Sequence, residues 1–206
     1  DAIDLAEDRD RFKALVENDL LTAGSMFEDA LRRKPDFTVA MLGLADVRVR
    51  QRNTTQAEAN IRKALATEPA NPDVHTAAGR LYMAMQKHPQ AKAAYLKAIE
   101  LDPQAVLARL DLAELYASVE KNPKAAIAEY RKAIEIKPDL ASARMGLGMT
   151  LLATGDTKGA ISELQEAVKR APEDAAAWHL LGRVYASDKR YPYAIKAVND
   201  SSINAF

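Results

Sequence analysis

Prolines recur along this chain of 206 residues at almost constant spacing. Pro35, Pro69, Pro103, Pro138 and Pro172 are separated by 34, 34, 35 and 34 residues. Self-similarity at a period of this size indicates a solenoid, in which each repeat is one supersecondary unit that buries its apolar face only against its neighbours. The period constrains the architecture more than any other feature of the sequence.

Small and bulky residues repeat in phase with the prolines. An alanine lies five residues before each proline, another lies twelve before it, and a bulky apolar residue lies eight before it. The three series are Ala30, Ala64, Ala98, Ala133 and Ala167; Ala23, Ala57, Ala91, Ala126 and Ala160; and Phe27, Ile61, Tyr95, Tyr130 and Leu164. Alanines let two helices approach closely, and the bulky residues fill the wider gap beside them. Helices of about 12 to 15 residues are marginal alone, so we expect stacking to stabilise them.

In four of the six predicted units, the first helix carries a large residue, then a pair ending in Gly or Ala, then usually an aromatic residue. The segments are His75-Ala78-Gly79-Tyr82, Arg109-Leu112-Ala113-Tyr116, Arg144-Leu147-Gly148-Leu151 and Trp178-Leu181-Gly182-Tyr185. This pattern and period resemble the tetratricopeptide repeat (TPR) family, over nearly the whole chain. The resemblance implies an all-α fold, a right-handed superhelix (α-solenoid) of helix-turn-helix units. We interpret residues 1–206 as one solenoid with repeats at 4–37, 38–71, 72–105, 106–140, 141–174 and 175–206, the first and last irregular.

Both ends depart from the repeat. Glu7, Asp10 and Arg11 occupy positions of the first helix where apolar residues are expected, which predicts a polar cap or a frayed end. Near the other end, Ser201 stands where alanine recurs and Phe206 where proline does. We expect the chain to be an excised piece of a longer polypeptide or a mature fragment.

Composition indicates a soluble helical array and disfavours several classes of function. Lys plus Arg equals Asp plus Glu at 29 each, so no global field attracts nucleic acid or an anionic membrane. The sequence contains no apolar run long enough to span a membrane and no signal-peptide pattern. It has no cysteine, which excludes disulfides and thiolate ligands but leaves cytoplasm and periplasm both open.

Catalytic and metal-binding patterns are weak. His75, His88 and His179 lie far apart and form no His-Glu-x-x-His helix. Carboxylate pairs three apart on a helix, such as Asp111 and Glu114, are expected from the 29 acidic residues alone. We therefore predict no enzymatic activity in this segment, no cofactor and no metal site.

A solenoid offers a concave surface, and the TPR resemblance implies that the first helices line it. Positions two, five, nine and twelve of each unit should face this groove. The candidate groove residues are Leu42, Asp46, Thr76, Arg80, Met83, Leu107, Leu110, Glu114, Met145, Met149, Leu152, His179 and Arg183. Their centre is apolar and rich in Met, which adapts to varied ligands, with charge around it. For any one of them, packing between helices is the alternative.

Some TPR proteins hold the C-terminal carboxylate of chaperone tails with a clamp of Lys, Asn and Arg side chains on three consecutive first helices. Three registers place the first clamp position at Thr76, Leu42 or Leu110, and none of them supplies the clamp residues. The sequence therefore disfavours a chaperone-tail adaptor.

Three functions follow from the predicted surfaces. The leading hypothesis is a protein-interaction scaffold that binds an extended or helical segment of a partner protein in the groove. The second is a self-assembling adaptor, a homo-oligomer formed through an apolar C-terminal edge of Val198, Ile203 and Phe206. The third makes this segment the substrate-recruiting arm of a larger enzyme.

Overall fold

The computed structural model describes the backbone of residues 19–203 and the side chains of residues 19–199. Over these residues the chain forms eleven α-helices and no strand. The helices are α1 (Leu20–Arg33), α2 (Thr38–Arg50), α3 (Thr54–Thr67), α4 (Pro72–Ala84), α5 (His88–Leu101), α6 (Val106–Ser118), α7 (Pro123–Ile136), α8 (Ala141–Ala153), α9 (Thr157–Arg170), α10 (Ala175–Ser187) and α11 (Tyr191–Ile203). The all-α prediction is confirmed. The predicted polar cap at Glu7, Asp10 and Arg11 lies outside the described residues.

Each described turn inside a repeat contains one residue with a positive φ angle. Arg52, Gln86, Lys121 and Lys189 have φ between 51° and 60°, and Gly155, which takes this region without a steric cost, has φ 88°. Several second helices have a side-chain N-cap at their start. The side chains of Asn53, Asn122 and Asp156 each accept a hydrogen bond from a backbone N–H group in the first turn of the helix that follows. The fourth predicted repeat, residues 106–140, is one residue longer than its neighbours. The additional residue lies in the turn inside this repeat, because four residues separate α6 from α7, whereas three separate α2 from α3 and α8 from α9.

In three of the first helices, the fourth residue ties the helix to the preceding proline turn. Trp178 Nε1 donates to the Pro172 carbonyl at 2.8 Å, and His75 Nε2 lies 2.8 Å from the Pro69 carbonyl oxygen. Arg144 reaches the Pro138 carbonyl at 3.3 Å. This contact gives His75 a structural role.

Small residues pack against bulky ones throughout the core. All ten alanines of the two periodic series are at most 4% exposed. A Cβ atom at Gly43 would collide with the Phe27 ring, and one at Gly146 would collide with the Tyr130 ring. These rings therefore fit against bare backbone on a neighbouring helix.

The helices form two compact units, the first ending at Ala105 and the second beginning at Val106. In each unit, every helix contacts the helices next to it in sequence, both within a repeat and between repeats. First helices of consecutive repeats also contact each other: α2 contacts α4, and α8 contacts α10. The predicted repeat starts at residues 38, 72, 106, 141 and 175 each coincide with the start of a helix. The division into six repeats of a single solenoid remains a prediction.

Candidate functional site

A cleft of about 600 Å³ opens in the second unit between α6, α7 and α8. Glu114, Ala117, Ser118, Lys121, Pro123, Tyr130, Ser142, Gly146, Met149, Thr150, Ala153 and Thr154 line it. Two of the candidate groove residues, Glu114 on α6 and Met149 on α8, meet in this cleft. The side chain of Met149 is 50% exposed and supplies apolar surface there.

Tyr130 of α7 reaches the cleft because Gly146 on α8 leaves room for its ring. The tyrosine is buried, and this burial, with the carboxylates of Glu114 and Asp111 adding to it, raises the pKa of the Tyr130 phenol to about 12. The hydroxyl is therefore protonated at neutral pH. It can donate a hydrogen bond to an acceptor placed in the cleft.

Glu114 and Lys121 give the cleft its charges, and both are exposed. The hydroxyls around them bond mainly to their own helices. Ser118 donates to the Glu114 carbonyl at 2.7 Å, and Thr150 donates to the Gly146 carbonyl at 2.8 Å. Charge of both signs thus stands beside an apolar surface in this cleft.

The other candidate groove residues of α6 and α8 differ in exposure. Leu107 is 53% exposed, whereas Leu110, Met145 and Leu152 are partly buried against the core of the second unit. Leu110 and Met145 share position five of their repeats, beside the contact between helices. These side chains therefore divide their surface between core and solvent.

Five candidate groove residues lie in the first unit, on α2 and α4. Arg80 is exposed, while Leu42, Asp46 and Met83 are half-buried, and Asp46 accepts from Arg50 Nε at 2.9 Å. Thr76 is buried at 6% exposure, and its hydroxyl donates to the Pro72 carbonyl at 2.9 Å. Unlike the other candidate groove residues of the first unit, Thr76 offers almost no accessible surface for a ligand.

A slot of about 340 Å³ lies between α10 and α11 in the last repeat. It is lined by His179, Gly182, Arg183, Ala186, Ala194, Ile195, Val198 and Asn199. His179 and Arg183 were groove candidates, and Val198, 46% exposed, was assigned to the C-terminal edge. Ile203 is the last residue of α11, where no side chain is described, and Phe206 lies outside the described residues.

The sequence reasoning missed several residues of the cleft and the slot. Tyr130 and Lys121 were overlooked because only first helices were assigned to the groove, although the extra residue before α7 marked this turn as unusual. Ile195, 63% exposed, was overlooked although it stands in phase with buried Ile161. Residues of second helices and turns thus contribute to both surfaces.

Other kinds of site find no support in the described residues. Residues 19–199 hold no group of three His, Asp or Glu side chains arranged for a metal ion. In the same part of the chain, no helix combines the length and apolarity that crossing a bilayer requires.

Curated relatives match most of this chain but are far longer than it is. Human protein O-mannosyl-transferase TMTC3 is 26% identical over 165 residues, which is 78% of this chain and 18% of that protein. Superkiller protein 3 of Schizosaccharomyces pombe is 29% identical over 145 residues, 68% of this chain and 10% of that protein. The chain thus spans less than a fifth of either relative.

Solved structures share the fold at low identity. The pilF protein of Pseudomonas aeruginosa superposes with a TM-score of 0.76 at 18% identity, covering 93% of this chain and 87% of that one. YrrB, described as a TPR protein with an unusual peptide-binding site, superposes with a TM-score of 0.61 at 21% identity, covering 87% and 92%.

Family models cover most of the sequence. One tetratricopeptide repeat model matches residues 14–81, 48–97, 120–184 and 151–201, and a second matches residues 76–141. With the period, the buried alanines and the paired helices, these matches show that the chain belongs to the tetratricopeptide repeat family.

Proposed function

We propose that the chain is a protein-interaction scaffold and that the cleft between α6, α7 and α8 binds an extended or helical segment of a partner protein. The observation that carries this proposal is the meeting of exposed Met149 with Glu114, Lys121 and the Tyr130 hydroxyl in one concave space of about 600 Å³. Binding sites combine apolar lining with a few placed polar groups in this way. The peptide-binding description of YrrB offers a precedent on the same fold.

The apolar part of the cleft supplies affinity, and its charges orient the ligand. Methionine is unbranched and polarizable, so Met149 adapts to side chains of different shape. Glu114 favours a basic group of the ligand, while Lys121 favours a carboxylate. Because both are exposed, we expect them to act mainly on association rate and salt dependence.

The test compares capture of partners by the intact chain and by two variants. Partners are first isolated from an extract of the source cell and identified, and their affinities are then measured. Met149→Ala should weaken binding several-fold to about thirty-fold if this residue is an energetic centre. Leu96→Ala is the matched control, since this leucine of α5 is also half exposed, at 45%, but lies in the other unit.

The result decides between the cleft and the rest of the surface. Equal binding of every partner by folded Met149→Ala and by the parent would contradict the cleft assignment. A loss with Leu96→Ala as large as that with Met149→Ala would indicate nonspecific apolar adhesion.

The recruiting-arm function is a second candidate, favoured by the similarity to an O-mannosyl-transferase over 165 residues. In that case the cleft would hold a protein substrate for a catalytic domain elsewhere in a longer polypeptide. Deleting this segment from the full-length protein should then raise KM for that substrate and leave kcat for a minimal peptide unchanged. Unchanged KM would exclude this role.

A further inference from the structure

The Tyr130 hydroxyl is a buried polar group that faces the cleft. Tyr130 is only 7% exposed, and it lines the cleft. Its ring lies against the bare backbone of Gly146, where a Cβ atom would stand 2.7 Å from the hydroxyl oxygen. Within residues 19–199, no backbone or side-chain group forms a hydrogen bond with this hydroxyl. Because a buried polar group without a partner costs free energy, a ligand that hydrogen-bonds to this hydroxyl gains affinity.

The electrostatic potential at this hydroxyl is negative. Glu114 of α6 lines the cleft, and Asp111 lies one turn before it on the same helix. Both carboxylates add to the effect of burial and raise the pKa of the Tyr130 phenol. A cation is therefore favoured beside the hydroxyl.

The positive charge of the cleft stands farther along α6. Lys121 lies in the turn that follows the C-terminal end of this helix at Ser118, whereas Glu114 lies inside the helix. At a rise of 1.5 Å per residue, the helical interval from Glu114 to Ser118 alone spans about 6 Å. The cleft thus has an acidic end beside Tyr130 and a basic end beyond Ser118.

An apolar surface adjoins the acidic end. Met149 lies one turn after Gly146 on α8, so the two residues are neighbours on one face of the helix, about 5 to 6 Å apart. Met149 is 50% exposed, and Ala153, a further turn along, also lines the cleft. Two adjacent side chains of a ligand can therefore reach the Tyr130 hydroxyl and Met149 together.

We propose that the acidic end of the cleft, defined by Tyr130, Glu114 and Gly146, receives a lysine or arginine side chain of the partner segment. An adjacent apolar side chain of the same segment packs on Met149. The inference rests on the proposed function and specifies which segments the cleft selects. The cation donates hydrogen bonds to the Glu114 carboxylate and to the phenol oxygen, which accepts while it keeps its own proton.

The cleft is open for reasons that do not depend on where the sequence ends. It lies between three consecutive helices, and α9, α10 and α11 pack in sequence after them. A further repeat would stack on α10 and α11, as α10 itself packs on α8 and α9. Such a repeat leaves the cleft uncovered, so the occupant is selected by the charge and the hydroxyl at its acidic end.

Two dipeptides that differ in charge but not in shape are the probes. They are N-acetyl-leucyl-arginine amide and N-acetyl-leucyl-citrulline amide, in which citrulline carries a neutral urea group in place of the guanidinium. Binding to the chain is measured by NMR of the methyl groups of Ala117 and Ala153, which line the cleft. We expect the arginine dipeptide to bind about threefold or more tightly, because its cation meets the acidic end. If the Tyr130 hydroxyl donated to a neutral acceptor instead, the citrulline dipeptide would bind at least as well.

Variants of the chain locate the source of the preference. Glu114→Gln should remove most of it, whereas Glu135→Gln, the same change at an exposed carboxylate of α7 outside the cleft lining, should leave it in place. Tyr130→Phe, which keeps the ring, should weaken binding of the arginine dipeptide about twofold or more. Met149→Ala should weaken both dipeptides alike, because the leucine side chain packs there. Circular dichroism checks that each variant remains folded.

Three results with these probes would overturn the proposal. They are equal affinities of the two dipeptides, the absence of binding by either, and a preference that Glu135→Gln removes as fully as Glu114→Gln. Equal affinities that Met149→Ala lowers together would refute the selection of a cation and leave the peptide-binding cleft of the proposed function in place. The two proposals thus fail separately.

Two further comparisons test the identity of the occupant. Methylguanidinium, the same cation without a peptide, should bind about threefold or more weakly than the arginine dipeptide, and equal affinity would indicate a site for free cations instead. Any longer native polypeptide that contains this chain should bind the arginine dipeptide as well. Loss of binding there would show that a segment of that polypeptide, rather than a partner, occupies the cleft.

Discussion

Helices α9 and α11 occupy the same place in consecutive repeats, yet their apolar residues meet opposite environments. Leu164 is fully buried under α10, whereas Val198, thirty-four residues later, is 46% exposed. Each packs on a glycine of its own first helix, Gly148 or Gly182. What differs is the presence of a following first helix among the described residues. In a repeat array, the next repeat therefore decides whether a given position forms core or surface.

The largest expected effect is a loss of stability from truncating the covered residue. Leu164→Ala should lower the free energy of unfolding by about 2 to 5 kcal/mol, because it leaves a cavity under α10. Val198→Ala should lower it by less than about 1 kcal/mol, since water already reaches this side chain. Urea denaturation of both variants measures the difference. Similar losses at the two positions would mean that Val198 is covered in solution.

Overpacking tests the same comparison from the other direction. Ala160 is fully buried on α9, while Ala194, its equivalent on α11, is partly exposed. Ala160→Leu should destabilise the chain by about 1 to 3 kcal/mol, and Ala194→Leu by clearly less, because its larger side chain can extend into the slot. Thermal melts followed by circular dichroism give both values. Parent-like melting of Ala160→Leu would show that the repeat phase is wrong.

Smaller effects are expected where a hydrogen bond joins a first helix to the preceding turn. Trp178→Phe keeps most of the apolar ring but removes the bond from Nε1 to the Pro172 carbonyl, at a cost of about 0.5 to 1.5 kcal/mol. Leu180→Met, a conservative change at a partly buried position on the same helix, is the control. If Trp178→Phe had no effect, water would be replacing this bond.

The repeat phase explains how much of the fold the sequence predicts. Proline follows the second helix of the first five repeats and small residues mark close contacts between helices, so the period indicates where helices begin and end. The exposure of an individual side chain is harder to predict, because it depends on its own length and on the side chains packed around it. Thr76 and Met145 share one repeat position, yet the short threonine is buried and bonded to its own helix, while the longer methionine reaches the edge of the core.

The composition of the cleft was predictable only in part. Glu114 and Met149 followed from the groove positions of first helices. Tyr130 did not, because it belongs to a second helix and reaches the cleft only where Gly146 has no side chain. Such a contribution depends on a pair of residues in different repeats, and a rule based on positions within one repeat does not include it.

The smallest effect concerns ionisation and leaves stability at neutral pH unchanged. Tyr130 occupies the same repeat position as Leu164 and Val198, and its burial raises its pKa from 10.0 to about 12. An unfolded tyrosine ionises near pH 10, so the stabilisation from keeping this phenol neutral is complete below that pH and is lost as pH rises from about 10 to 12. Tyr130→Phe should remove this part of the alkaline destabilisation. Absorbance titration near 295 nm should show the late-ionising tyrosine in the parent only.

A tyrosine moved to the exposed position 198 on α11 extends this test. In the double variant Tyr130→Phe, Val198→Tyr, the new phenol should ionise near its ordinary pKa, because solvent reaches this face of α11. The two tyrosines would then differ in environment while sharing one repeat position. Titration of the new phenol as late as that of Tyr130 would mean that another helix covers the slot.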